Sequence, residues 1–211
     1  MYIKTKRIVD VFLALIGLLV LFPVFFIIIV GIKLDSKGPI LFRQKRVGIN
    51  KTHFYILKFR TMKSDTPNDT PTHLLDHPEQ YITRMGKFLR KTSLDELPQI
   101  INILTGKMSV IGPRPALWNQ YDLIKERDKY GANNVLPGLT GWAQVKGRDE
   151  LAIDIKARLD GEYVKKMSLW FDIKCFFLTI CSVLKSDGIV EGNNTTNNYQ
   201  KTAGDREEIS K

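Results

Sequence analysis

Residues 11–32 read VFLALIGLLVLFPVFFIIIVGI, 22 residues without a charge between Asp10 and Lys33. As a straight α-helix this run is about 33 Å long, enough to cross the hydrocarbon core of a bilayer. It is too long for the apolar core of a secretory signal, and no small-x-small cleavage site follows it. Pro23 stands in its middle. Proline removes one helical hydrogen bond and clashes with the preceding turn, so a kink or break is expected at Phe22-Pro23. Lys4, Lys6 and Arg7 precede the run, and Lys33, Lys37, Arg43, Lys45 and Arg46 follow it. With cations on both sides, the preference of basic flanks for the cytoplasm selects no single orientation. A helix that turns at Phe22-Pro23 and returns to the same face satisfies both flanks. A plain single span is the alternative, since prolines also occur in spanning helices.

The net charge is +10, and residues 191–211 hold three basic and four acidic side chains, so the rest of the chain carries +11. Such an excess suits anionic lipid, nucleic acid or a phosphate-bearing substrate. Residues 40–60 predict a hairpin: ILFRQKRV alternates apolar and polar, Gly48-Ile49-Asn50-Lys51 makes the turn, and THFYILKF resumes the strand. Helices are expected over 81–92, after Pro98, over 116–129 and over 151–167. A short strand is expected near 106–111, and an apolar segment with a narrow polar stripe at 169–185 reads as core or interfacial packing. Cys175 and Cys181 read as buried thiols in a reducing compartment. The polar run from Glu191 onward reads as a disordered tail.

Asp95 and Glu96 stand side by side in Ser93-Leu94-Asp95-Glu96-Leu97-Pro98. Ser93 and Glu96 have the spacing of a capping box, while Pro98 suits a first helical position. Both starts place the two carboxylates at the positive end of a helix dipole, which favours their ionised forms. A carboxylate so placed can hold Mg²⁺ or attack phosphorus; a helix cap without chemistry is the plainer possibility. The basic segment Arg84, Lys87, Arg90 and Lys91 leads into the pair. Further on, Gly112-Pro113-Arg114-Pro115 stiffens the chain around one arginine, and a rigid loop can aim a guanidinium fork at phosphate.

The motifs KRIVD (6–10), FRQKRVG (42–48), LKFRTM (57–62), LRKTSLDELPQ (89–99), MSVIGPRPAL (108–117), PGLTGWAQVKGR (137–148) and SLWFDIK (168–174) stand in this order. Together they resemble the monotopic bacterial sugar transferases, the polyprenyl-phosphate phosphoglycosyl transferases. The resemblance implies transfer of a sugar-1-phosphate from a UDP-sugar to polyprenyl (undecaprenyl) phosphate with release of UMP, as the first membrane step of glycan assembly. It implies that Asp95 is the nucleophile of a covalent phosphosugar intermediate, that Glu96 assists, and that Mg²⁺ is held by Asp95 and Glu96. By matching position, Arg90, Pro113 and Arg114 are expected to contact phosphate or nucleotide, with Lys58, Arg60 and Arg148 beside them. Asp160 matches an acidic position of the family; a structural salt bridge is its other reading.

The fold implied is α+β and mostly helical, with a small hairpin and interfacial helices. Its parts are a re-entrant membrane helix over 1–35 broken at Phe22-Pro23, a catalytic domain over 36–190, and a tail over 191–211. Many members carry Ser-Pro at the break, where this chain has Phe-Pro. The expected place is the cytoplasmic face of the bacterial inner membrane, with membrane lipid as a partner and no nucleic acid. The chain resembles a minimal catalytic form. Asp65-Thr66-Pro67-Asn68 and Thr72-His73-Leu74-Leu75 resemble members that use N-acetylated amino sugars. A non-enzymatic basic membrane adaptor would account for the charge and residues 1–33, but not for Asp95-Glu96 between basic segments or for the rigid Gly-Pro-Arg-Pro loop.

Overall fold

The computed structural model describes residues 2–64, 66, 78–147 and 151–185. The apolar run and its flanks form one helix, α1 (Tyr2–Asp35), with Pro23 inside it. Two helices separated by a break are therefore not seen: the helix continues through Phe22-Pro23. Proline costs a bond and a clash, and a long helix held by packing on both sides can absorb them. One stripe of α1 is buried, through Asp10, Ala14, Ile28 and Ile32. The opposite stripe leaves Ile3, Phe12, Leu19, Phe22, Phe26 and Leu34 exposed. An apolar face of this length is a surface built to meet lipid or another apolar partner.

The expected hairpin forms. β1 (Leu41–Val47) pairs antiparallel with β2 (His53–Phe59), from Leu41 opposite Phe59 to Val47 opposite His53. α2 (Arg84–Lys91) is opened by Thr83, whose hydroxyl accepts from Gly86 N at 3.0 Å. α3 (Gln99–Leu104) follows Pro98. β3 (Ser109–Ile111) and β4 (Gly138–Thr140) pair in parallel, a contact the sequence did not announce. Between them lies α4 (Tyr121–Asp128), shorter than expected because 116–120 is not helical. α5 (Trp142–Gly147), α6 (Ile153–Lys166) and α7 (Leu169–Lys185) complete the body.

α1 packs on this body along its whole length. Near its start Ala14 joins Phe54, Ile56, Ile100, Ile103 and Met108; near its end Ile28 and Ile32 join Phe59 and Leu89. Polar contacts pin both ends. Arg7 donates to the carbonyls of Ile103 and Leu104 at 2.6 and 3.0 Å, which satisfies the C-terminus of α3. Buried Asp10 accepts from Ser109 Oγ at 2.7 Å and from Val110 N at 3.0 Å, and so fixes β3. Asp172 on α7 receives Tyr2, Lys6 and Tyr163 at 2.6, 2.7 and 2.8 Å. At the far end Asp35 accepts from Met85 N at 2.9 Å. Two further cores are built without α1 side chains, one around Val47, Leu123 and Ala157, the other around Ile111, Trp142, Tyr163 and Cys175. Cys175 is buried as expected; Cys181 is exposed, because it falls on the outer face of α7.

Candidate active site

α2 ends at Thr92, and Ser93 then adopts a left-handed conformation (φ 56°, ψ 16°) that turns the chain sharply. For a non-glycine residue this costs about 1–2 kcal/mol, and such strain gathers at functional sites. Leu94–Glu96 form a 3₁₀ turn, and Leu97 and Pro98 carry the helical backbone on into α3. The capping-box reading of Ser93 is thereby corrected: its side chain makes no capping hydrogen bond among the described residues, since a left-handed residue cannot aim its hydroxyl as an extended N-cap does. The helix starts after Pro98.

The turn brings Asp95 and Glu96 between β2 and the loop after β3. Glu96 is held on two sides. Arg114 grips it with both ends of its fork, at 2.7 Å to Oε1 and 3.2 Å to Oε2, and Lys58 Nζ lies 2.7 Å from Oε1. Asp95 is buried and held more loosely, with Lys58 Nζ at 3.6 Å from Oδ2. The two carboxyls diverge in acidity. Burial pushes Asp95 above the usual carboxylate range, with the neighbouring Glu96 charge adding to it and Lys58, Arg114 and Arg90 opposing it. For Glu96 burial acts in the same direction but is outweighed by Arg114 and Lys58, so it is held well below that range.

Backbone fit places the cations. Gly112, Gly138 and Gly141 allow the Gly-Pro-Arg-Pro loop to lie against the β4 segment; a Cβ at any of them would overlap backbone of the other strand. Gly138 N donates to Pro113 O at 2.9 Å, and Arg46 donates to Pro115 O at 3.0 Å. Arg114 is thus presented from a loop fastened on both sides. Lys58 is placed by Asn102 of α3, which accepts from Leu57 N and donates to Tyr55 O, both at 2.9 Å. Asn102 completes the free edge of β2 and ties the strand carrying Lys58 to the helix that follows Glu96. Arg90 Nε donates to Thr61 Oγ1 at 2.9 Å.

Other expected site residues are placed differently. Arg60 is buried, and its guanidinium donates to the carbonyls of Ser36 and Lys37 and to both serine hydroxyls nearby, closing the turn after α1. Asp160 receives Arg127 Nε and Nη2 at 2.8 and 2.6 Å, a buried pair joining α4 and α6. Phe22 and Pro23 sit on the exposed face of α1. Arg148 and the tail over 191–211 lie outside the described residues, as do 65–68 and 72–75 apart from Thr66. Asn102, Thr61 and Asp10 were not singled out from sequence, and the polar spacing Asp95, Gln99, Asn102 on an otherwise apolar helix was the signal available.

Comparison with known proteins agrees with this geometry. A family model described as bacterial sugar transferase matches residues 1–186. The chain is 40% identical over 190 residues to a UDP-glucose:undecaprenyl-phosphate glucose-1-phosphate transferase of Xanthomonas campestris, covering 87% of the chain and 39% of the relative. Identity is 43% over 183 residues to an Escherichia coli protein of the same name, covering 83% and 39%. It is 36% over 200 residues to an uncharacterised sugar transferase of Bacillus subtilis, EpsL, covering 95% and 97%. The chain thus spans about two-fifths of the first two relatives and nearly all of the third. The family, together with the long apolar helix, points to membrane association. With the dyad, its cations and the match running through all of them, the chain belongs to the bacterial sugar transferase family.

Proposed function

We propose that this protein transfers a sugar-1-phosphate from a UDP-sugar to polyprenyl phosphate through a covalent intermediate on Asp95. The observation that carries this is the unequal holding of the two carboxylates. Arg114 and Lys58 engage both oxygens of Glu96, whereas among the described residues Asp95 has only the longer Lys58 contact. Asp95 is therefore the carboxylate with an oxygen to give to phosphorus. Its raised pKa makes the ionised form a stronger nucleophile than an ordinary aspartate.

An Asp95 oxygen attacks the sugar-bearing phosphorus. The bond from that phosphorus to the bridging oxygen breaks, and UMP leaves with the oxygen. In the second half, a phosphate oxygen of the polyprenyl phosphate attacks the same phosphorus, and the bond to Asp95 breaks. Glu96 keeps Lys58 and Arg114 beside the reacting phosphate, where their charge offsets that of the diphosphate. Among the described residues no group of three or more acidic, histidine or cysteine ligands gathers. Two adjacent carboxylates instead suit a Mg²⁺ that draws its other ligands from phosphate and water, so Asp95 and Glu96 would hold it. Bound there, Mg²⁺ supplies charge neutralisation at the diphosphate.

The membrane part of the reading is monotopic and re-entrant, with α1 turning through a kink at Pro23 and not through a gap between two helices. Both ends of α1 are bonded to the same body, Lys6 to Asp172 and Asp35 to Met85, which supports both ends lying on one side of the membrane. The cytoplasmic face is proposed because UDP-sugars are made there and both flanks are basic. The glucose in the names of the Xanthomonas and Escherichia relatives puts UDP-glucose first among donors. The N-acetylated amino sugar expected from 65–68 and 72–75 has no support from those names.

The test is intact-protein mass spectrometry after incubation with a panel of UDP-sugars and Mg²⁺, without polyprenyl phosphate. UMP should appear together with a hexose-phosphate adduct that maps to Asp95. Asp95→Asn should abolish both, while Glu96→Gln slows the reaction. An adduct on Glu96 would reverse the roles, and a reaction requiring both substrates with no adduct at any time would replace the covalent route.

A further inference from the structure

The helical backbone is continuous from Leu94 through the 3₁₀ turn into α3, with Leu97 N bonded to Leu94 O and Ile100 N to Leu97 O. On such a backbone, residues four and seven apart lie on one face. Asp95, Gln99 and Asn102 have this spacing, and all three are buried. Two of them are accounted for. Asp95 meets Lys58, and Asn102 satisfies the edge of β2. Gln99, between them, is not. It is 1% exposed, among the most deeply buried side chains of the protein, and its amide nitrogen has no hydrogen-bond partner among the described residues.

A buried donor without a partner destabilises the fold, so such groups are rare and call for a reason. An apolar side chain of the same length would fill the space at no such penalty. Helical side chains lean toward the N-terminus of their helix, so a long residue at position 99 covers the turn that carries position 95. With Asp95 on that turn and read as the nucleophile, the oxygens of the attacked phosphate are the acceptors that a donor there would meet.

We infer that Gln99 is a substrate-contacting residue whose side-chain amide donates a hydrogen bond to a non-bridging oxygen of the transferred phosphate. This rests on the reading of Asp95 as nucleophile. The amide is a neutral donor, set one helical turn from the nucleophile and already out of water. Lys58 and Arg114 are bound by Glu96 before substrate arrives; among the described residues the Gln99 donor has no bond to give up. It adds no charge, so it stabilises the pentacoordinate phosphate without holding the product diphosphate tightly.

The experiment compares Gln99→Met and Gln99→Glu with wild type in the membrane-reconstituted protein. It reads thermal midpoint, the rate of adduct formation from UDP-glucose and Mg²⁺, and the KM for UDP-glucose. Methionine keeps length and removes the donor. Its midpoint should be equal or higher, and adduct formation should be slower by about 10- to 100-fold, the order of losing one transition-state donor, with KM little changed. Glutamate keeps the shape but sets a second negative group beside the phosphate, so its loss should be larger. Wild-type rates in Gln99→Met would overturn the inference. So would a lowered midpoint, which would give the amide a structural partner. If wild-type protein itself forms no adduct, the nucleophile reading fails separately, and the Gln99 effect is then read from steady-state UMP release.

Discussion

The buried pair Arg127–Asp160 offers a sharp test of what an acidic residue at that position does. The two side chains are 4% and 1% exposed, and the guanidinium places two donors on one carboxylate oxygen at 2.8 and 2.6 Å. Asp160→Asn keeps the shape but leaves Arg127 as a buried charge with no counter-charge. Breaking a buried pair in this way costs about 3–5 kcal/mol. For a domain of this size each kcal/mol lowers the melting temperature by about 2–4 °C, so the fall should be about 6–20 °C. Replacing both partners by leucine removes the two charges together and should be neutral or stabilising by about 1–4 kcal/mol. The assay is thermal unfolding of Asp160→Asn, of Arg127→Leu and of the double leucine variant in the same detergent, with UMP release measured at 25 °C as an assay condition. Arg127 lines a small cavity with Pro113, Pro115 and Asn133, so it backs the loop that presents Arg114 without touching the dyad. The double variant should therefore keep most of its activity. A melting temperature in Asp160→Asn within ~1 °C of wild type, or a double variant no better than the worse single one, would refute the energetic argument. A stable double variant without activity would mean that the pair serves the reaction as well as the fold.

Arg114→Lys retains charge but loses the fork on Glu96, so kcat/KM for UMP release should fall by roughly 10- to 100-fold; unchanged kinetics would return the loop to a purely structural role. Asp95, pushed up by burial, should protonate before Glu96 as the pH falls, so the rate of adduct formation should be lost on the acid side through Asp95. Lys58→Met removes a charge that opposes that rise and should move the acid limb to higher pH; a limb that stays in place would mean that Lys58 does not act on Asp95. Cysteines placed at Lys4 and Lys37 should both be protected from an impermeant thiol reagent in intact cells; labelling at position 4 from outside would exclude the re-entrant topology.

Sequence pattern alone located the hairpin, because period-two alternation between turn residues survives without context, as at Leu41–Val47 and His53–Phe59. The residues themselves singled out Asp95, Glu96 and Arg114, and the family motifs added Lys58, though not how the four divide. Glu96 meets Lys58 across 38 positions and Arg114 across 18, and no local rule reports such contacts. The parallel pair β3–β4 was invisible for a related reason: two three-residue strands carry too few alternations to register. Ser93 shows local chemistry overruled, since its spacing to Glu96 satisfies a capping rule while its backbone turns the other way. Arg60 and Arg114 look alike in sequence, yet one closes a turn of the chain and the other faces the dyad.

The anchoring of α1 also bears on how the protein is made. Lys6 and Asp172 are separated by 166 positions, and Asp10 and Ser109 by 99. At about 5–20 residues per second, Lys6 leaves the ribosome roughly 8–33 s before its partner. Throughout that interval α1 has a membrane to enter but not yet α7 to rest on. Its buried stripe, with Asp10 in it, must wait at the lipid surface for α3, β3 and finally α7. α1 is thus synthesised before every partner that locks it. A chain stalled before Leu169 would carry an α1 whose Lys6 has no acceptor on α7.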